Sequence, residues 1–231
     1  MTLTLITGGN KGLGYESARR LIELGHTVYV GARDAERGSS AAAELGARFV
    51  QLDVSDDASV AAAAAEIKER DGHLDVLVNN AGVSDALLAP EEVTAAAMAQ
   101  VYDVNVFGIV RTTHAFLPLL RCAPSPVIVN VSSGLGSFGV VTNPDRFEPG
   151  FATIVYGSSK AAVGMLTVQY AKALTDIKIN VVDPGYTATD INGNSGHQTV
   201  TEGTDAIVAL ATIGPDGPTG TFHDRSGVVP W

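Results

Sequence analysis

Residues 3–24 read Leu-Thr-Leu-Ile-Thr-Gly-Gly-Asn-Lys-Gly-Leu-Gly-Tyr-Glu-Ser-Ala-Arg-Arg-Leu-Ile-Glu-Leu. Leu3 to Thr7 is a short apolar run of the kind that forms a buried strand, and Leu13 to Leu24 has the composition of a helix. Between them lie Gly8, Gly9 and Gly12, and Gly14 follows in the first turn of the helical segment. A strand that passes through glycines directly into a helix is the context of a dinucleotide-binding turn. Glycines let the backbone approach a pyrophosphate, and the helix N-terminus offers unpaired N–H groups and a positive dipole end. The spacing is not G-x-G-x-x-G, and by itself the stretch also reads as a tight strand-to-helix turn.

The rest of the chain repeats this unit. Further strand-like runs occur at Thr27–Gly31, Arg48–Leu52, Leu74–Asn79, Pro126–Ser132 and Lys178–Val182. Helical segments fill the intervals at Ala35–Leu45, Ala58–Arg70, Glu91–Leu120 and Tyr156–Thr175, and Gly25, Gly46 and Gly72 stand where helix C-caps belong. Alternation of this kind demands right-handed crossovers, hence a parallel sheet covered by helices on both faces: a doubly wound α/β architecture. No linker, charge block or repeat interrupts it, so residues 1–231 are expected to form one dinucleotide-binding and catalytic domain. After Gly185 the rhythm breaks into a polar stretch, residues 186–200, rich in Thr, Asn, Gly and Ser. It leaves the sixth strand at the edge where open α/β sheets bind ligands, and is expected to be a mobile loop on the substrate side. A helix is expected near Thr201–Ile213.

With 45% apolar and 17% charged residues over 231 positions, the chain is a folded globule, and its longest apolar runs are far too short for a membrane span. The net charge of −10 disfavours nucleic acid and anionic lipid as partners. The single Cys122 forms no internal disulfide, and the five histidines are scattered without metal-ligand spacing. No signal-like segment precedes the first strand, so the cytoplasm is the expected compartment.

Three further motifs fall at ends of later strands or helices facing the same edge: Asn79-Asn80-Ala81-Gly82, Ser132-Ser133, and Tyr156-Gly-Ser-Ser-Lys160. With the glycine turn they make the sequence resemble the short-chain dehydrogenase/reductase family, whose pattern is TGxxxGxG, NNAG, a serine after the fifth strand and YxxxK. Asn105 is available for the family's asparagine and Pro184-Gly185 closes the sixth strand. The likeness spans essentially the whole chain and is nearest to carbonyl reductases, through Gly8-Gly9-Asn10-Lys11-Gly12, Ala32-Arg33-Asp34, Arg37-Gly38 and the terminal Trp231.

The resemblance implies a single Rossmann-type domain with a mainly parallel seven-stranded sheet, and hydride transfer between NADPH and a carbonyl compound. Tyr156 is then the general acid in reduction and the base in oxidation. Ser133, the second of its pair, holds the substrate oxygen, Lys160 lowers the tyrosine pKa and binds the nicotinamide ribose, and Asn105 anchors a water. Residues i and i+4 share a helix face, so Tyr156 and Lys160 can act as a unit. Asn105 also reads as a satisfied polar residue inside a buried helix. The cofactor contacts implied are Gly8, Asn10, Lys11, Gly12, Leu13, Gly14, Arg33, Arg37, Asp53, Val54, Asn79, Ala81, Gly82, Tyr156, Lys160, Pro184, Gly185 and Thr187. NADPH is expected over NADH because Arg33 and Arg37 follow the second strand, where a 2′-phosphate needs positive partners; the resemblance implies Lys11 and Arg33 as the phosphate ligands, with Arg37 assisting and Asp34 turned away.

Tyr156 follows Ser133 at an offset of 23 positions, more than the family's usual spacing, and the stretch between them carries Phe138, Phe147 and Phe151, an expected wall of an apolar substrate pocket. Val104–Leu120 and Gly157–Thr175 carry few charges, so a homodimer or homotetramer is expected, unless the long segment blocks that contact. Two other classes remain open to the sequence. A serine hydrolase lacks its G-x-S-x-G elbow here, and a noncatalytic NADP(H)-binding sensor would not need the Asn105, Ser133, Tyr156 and Lys160 set.

Overall fold

Leu5 faces one side of the sheet and Ile6 the other, and both are fully buried. That alternation sets the architecture, because the strands have two apolar faces and both must be covered. The computed structural model describes residues 1–84 and 88–231. Strands β1 (Leu3–Thr7), β2 (Thr27–Ala32), β3 (Arg48–Gln51), β4 (Val76–Asn79), β5 (Val127–Val131), β6 (Lys178–Val182), β7 (Phe222–Asp224) and β8 (Gly227–Val228) form one sheet in the order β3-β2-β1-β4-β5-β6-β7-β8. All neighbours are parallel except β7 and β8. The sheet thus has one strand more than the seven expected: a two-residue run that turns back at Gly227, whose φ of 132° suits a glycine.

The helices are α1 (Gly12–Glu23), α2 (Ala35–Leu45), α3 (Asp57–Asp71), α4 (Ala95–Tyr102), α5 (Gly108–Leu120), α6 (Phe138–Val141), α7 (Ile154–Ala173), α8 (Val200–Gly203) and α9 (Asp205–Ala211). Leu5, Tyr29, Leu77 and Ile128 pack with Phe116 and Leu120 of α5 and Ile67 of α3 on one face. Ile6, Val30, Val78 and Val129 pack with Leu21 of α1 and Ile207 of α9 on the other. A buried chain of side chains pins helices to the sheet centre. Asn79 donates to Asn130 Oδ1 at 2.8 Å, Thr112 of α5 donates to Asn79 Oδ1 at 2.8 Å, and Asn130 donates to Thr167 of α7 at 2.9 Å.

Three expected elements differ in detail. The single helix over Glu91–Leu120 is divided: Val93 is extended, Thr94 caps α4 through Ala97 N, and a π-helical turn at Asp103–Phe107 separates α4 from α5. The last expected helix is divided at Thr204 into α8 and α9, although Thr204 N on Val200 O at 3.1 Å and Val208 N on Thr204 O at 2.9 Å carry backbone hydrogen bonds across the division. Residues 186–200 fold into a turn closed by their own hydrogen bonds, with Asn192 Nδ2 on Thr187 O at 2.8 Å and the Tyr186 hydroxyl on Ser195. Among the described residues, no helix is long and apolar enough to cross a membrane.

Candidate active site

At the carboxyl ends of β1, β4, β5 and β6 lies a cavity of about 810 Å³. Its cofactor end begins at the glycine turn, where Gly8 (φ 64°) and Gly12 (φ 54°) both take left-handed backbone. Lys11 is the N-cap of α1 but its side chain makes no capping bond, and Gly12 and Leu13, which carry the first amides of the helix, line the cavity. An uncapped twelve-residue helix facing a cavity has the donors that a pyrophosphate requires, and the residues present fit a dinucleotide. Arg33 lines the same cavity after β2, beside Leu52, Asp53 and Val54. Burial pushes the Asp53 carboxyl up, but hydrogen bonds from Ser55 and the nearby Arg33 and Arg111 outweigh it and hold the group below its ordinary range.

At the other end, α7 brings Tyr156 and Lys160 to the cavity and β5 delivers Ser133. The two serines have separate partners. Ser132 donates to Lys160 O at 2.9 Å, while Ser133 accepts from Leu135 N at 3.2 Å and its hydroxyl sits beside the phenol. Lys160 is buried, donates from Nζ to Val131 O at 2.9 Å, and lies 5.5 Å from the Tyr156 ring centroid. Burial lowers its pKa to about 8. The tyrosine moves opposite to expectation. Burial and the charge of Asp183 push the phenol well above its ordinary range, and the Ser133 hydroxyl only partly offsets them. The proton is therefore held at neutral pH.

Several sequence-predicted residues stand back from the cavity. Asn105, in the π-helical turn, grips Val83 from both sides, accepting from its N–H at 2.8 Å and donating to its carbonyl at 2.9 Å, and also donates to Ser159. Asn79 is spent in the buried asparagine chain. Gly14 packs against Gly8 and Asn80 rather than facing the cavity. Arg37 is 76% exposed and its nearest carboxylate is Asp34, 3.7 Å away, so only Arg33 of the two guanidiniums reaches the cavity. Asp34 accepts from Arg37 N and caps α2. Lys11 is paired with Asp190 at 2.8 Å across the cavity mouth. Gly8, Asn10, Gly12, Leu13, Ala81, Gly82, Pro184, Gly185 and Thr187 all line the cavity. Of the three phenylalanines expected as a wall, Phe147 and Phe151 serve, 4.7 Å apart and joined by Tyr186, whereas Phe138 is outside it.

Sequence reasoning passed over Asn80 and Asp183. Asn80 sits in a quoted motif, yet its role is to bond Thr7 O at 2.9 Å and Gly8 O at 3.2 Å, bracing the glycine turn from the next strand. Asp183 carried a readable signal: a charged residue immediately after the strand-like run Lys178–Val182 and before Pro184.

With this geometry established, comparison with known proteins is direct. The short chain dehydrogenase family profile matches residues 2–199. The chain belongs to the short-chain dehydrogenase family. It is 34% identical to short-chain dehydrogenase/reductase 1 of Saponaria officinalis over 287 aligned positions, which cover 98% of this chain and 95% of the relative. Salutaridine reductase of Papaver bracteatum is 31% identical, with 98% and 95% covered. Both alignments run longer than 231 positions, so these relatives hold internal residues that this short-chain dehydrogenase lacks. Among solved structures, NADPH-bound carbonyl reductase from chicken fatty liver superposes with a TM-score of 0.87 at 28% identity, covering 100% of each chain. This short-chain dehydrogenase is accordingly an oxidoreductase of a nicotinamide-using family.

Proposed function

We propose that the protein uses NADPH to reduce a carbonyl compound, a ketone or aldehyde, to the alcohol. One observation carries the reading: Tyr156, Ser133 and Lys160 meet in the same cavity that Arg33 and the open end of α1 enter from the far side. Gly8, Gly12 and Leu13 would hold the pyrophosphate, Arg33 the 2′-phosphate, and Lys160 the ribose nearest the reacting carbon. The bound nicotinamide supplies the hydride.

The protein's own residues supply the remainder. The Ser133 hydroxyl donates to the substrate oxygen and orients it, and Tyr156 passes its phenolic proton to that oxygen as negative charge develops. A phenol held protonated at neutral pH suits the acid role. Val83, Val104, Leu135, Phe147, Phe151 and Ile191 give the cavity apolar walls, which favour an apolar carbonyl compound. The name salutaridine reductase and the NADPH bound to the carbonyl reductase agree with this direction and cofactor. Phe107, Val110, Ile154 and Met165 are exposed on or beside α5 and α7, in keeping with a homodimer or homotetramer.

The test is NADPH oxidation across a panel of aldehydes and ketones, repeated with Tyr156→Phe. Positioned proton transfer contributes about 10²–10⁴ in rate, so the variant should lose that factor in kcat while its NADPH affinity changes by less than about threefold. Tight NADPH binding with no turnover on any carbonyl compound would favour the sensor reading instead.

A further inference from the structure

Among the described residues, the lysines and arginines that line the cavity are Lys11, Arg33 and Lys160. Lys160 stands at the tyrosine end, so the phosphates of a dinucleotide would meet two cations, Lys11 and Arg33. One of them is already engaged. Lys11 Nζ donates to Asp190 Oδ2 at 2.8 Å, joining the residue before Gly12 to the stretch that follows β6. The rest of that stretch is fixed without the ion pair. Ala188 N donates to Gln198 O at 2.9 Å and Gln198 N to Tyr186 O at 3.1 Å, which closes its neck. Asn192 braces its turn, accepting from Thr189 N at 3.2 Å and donating to Thr187 O at 2.8 Å. Beyond the neck, Thr201 donates to the buried Glu16 of α1 at 2.8 Å, and Arg20 donates to Thr201 O at 2.8 Å. Losing the exposed pair, whose side chains are 63% and 67% accessible, therefore leaves the stretch in place. Its consequence is electrostatic: a fixed backbone delivers an anion to a cation at the phosphate end of the cavity.

We propose that Asp190 is an intramolecular competitor of the cofactor's phosphates: it occupies Lys11 in the free protein, and so lowers the affinity for the dinucleotide. The inference rests on the reading of the cavity as a nicotinamide dinucleotide site. A phosphate beside Lys11 would either displace the carboxylate or stand next to it against like-charge repulsion, and in both cases Asp190 costs affinity. The opposite role, a catch that holds the stretch closed over a bound cofactor, would make Asp190 raise affinity. The neck, Asn192 and the bonds to α1 argue against it, because they hold the stretch independently of Lys11.

The experiment is titration calorimetry of NADPH and of NADH, without substrate, on the wild type and on Asp190→Asn, which removes the charge and keeps the shape. Exposed ion pairs are worth up to about fivefold in an equilibrium constant, so the variant should bind NADPH about two- to fivefold tighter at low salt. The difference should vanish near 1 M NaCl, where the screening length falls to about 3 Å. Tightening with NADPH alone places the 2′-phosphate at Lys11, and equal tightening with NADH places the pyrophosphate there; either supports the proposal. NADPH binding that is unchanged or weaker overturns it while leaving the cofactor reading intact, whereas binding of neither dinucleotide overturns both. Lys11→Gln tests the route. It should weaken NADPH, and adding Asp190→Asn to it should gain less than the same change gains in the wild type; an equal gain overturns the proposal, because Asp190 then does not act through Lys11. Should Asp190→Asn lower Tm, Asp190→Ser also removes the charge, and the same outcomes apply.

Discussion

Gly14→Ala separates packing from cofactor contact. Gly14 lies in the first turn of α1, where an added methyl would collide with the Gly8 carbonyl and sit 2.6 Å from Asn80 Nδ2. Neither neighbour can yield. One is backbone, and the other holds Thr7 O and Gly8 O, so relief requires α1 to lift from the glycine turn or Asn80 to release both carbonyls. Overpacking costs about 1–3 kcal/mol, and two hydrogen bonds about 1 kcal/mol each. Alanine returns about 1 kcal/mol through helix propensity. The net loss is roughly 2–4 kcal/mol, which for a chain of this size lowers Tm by roughly 5–15 °C. Differential scanning calorimetry of the ligand-free protein reads this directly. A drop below about 2 °C would refute the reasoning, because it would show that the close approach of helix to turn is not rigid. Gly12→Ala is the comparison: its Cβ would meet nothing closer than Thr189 at 3.7 Å, so its cost is the left-handed backbone alone, about 1–2 kcal/mol.

Three further outcomes follow from the same structure. Arg33→Ala removes the one guanidinium after β2 that reaches the cavity, and should weaken NADPH by about tenfold to a hundredfold while leaving NADH within about twofold, read as kcat/KM for each cofactor; equal loss for both would exclude a 2′-phosphate contact. Lys160 releases its proton at about 8 when folded and at its ordinary 10.5 when unfolded, so between those values the unfolded chain binds more protons and stability rises with pH. Above about pH 10 the raised Tyr156 phenol reverses the slope, because only the unfolded tyrosine then ionises. Urea titrations of Lys160→Met should lack the rise between pH 8 and 10. Met165→Glu places a charge on the exposed face of α7 and should shift the mass in light scattering from a multiple of 23.9 kDa toward the monomer; a wild type already at 23.9 kDa would refute the dimer or tetramer.

The amino-acid sequence determined the alternation of strand and helix, because period and composition are local: Leu3–Thr7 has no other way to hide two apolar faces than in a sheet covered on both. It also determined Tyr156 and Lys160 as a pair, since four residues on a helix is one turn wherever that helix sits. What surrounds them was decided only by the tertiary structure. Asn105 and Asn79 look alike in sequence as candidate site residues, yet one is consumed by Val83 and the other by Asn130, partners 22 and 51 residues away. Arg33 and Arg37 lie four positions apart, but Asp34 caps α2 and the helix start directs them differently, so one reaches the cavity and the other meets solvent. The proton affinity of Tyr156 was the least legible property. The sequence shows the lysine that would lower it, but not the desolvation of both groups or the arrival of Asp183 from β6, 27 residues later, and electrostatic energy depends on distance and dielectric that only folding sets.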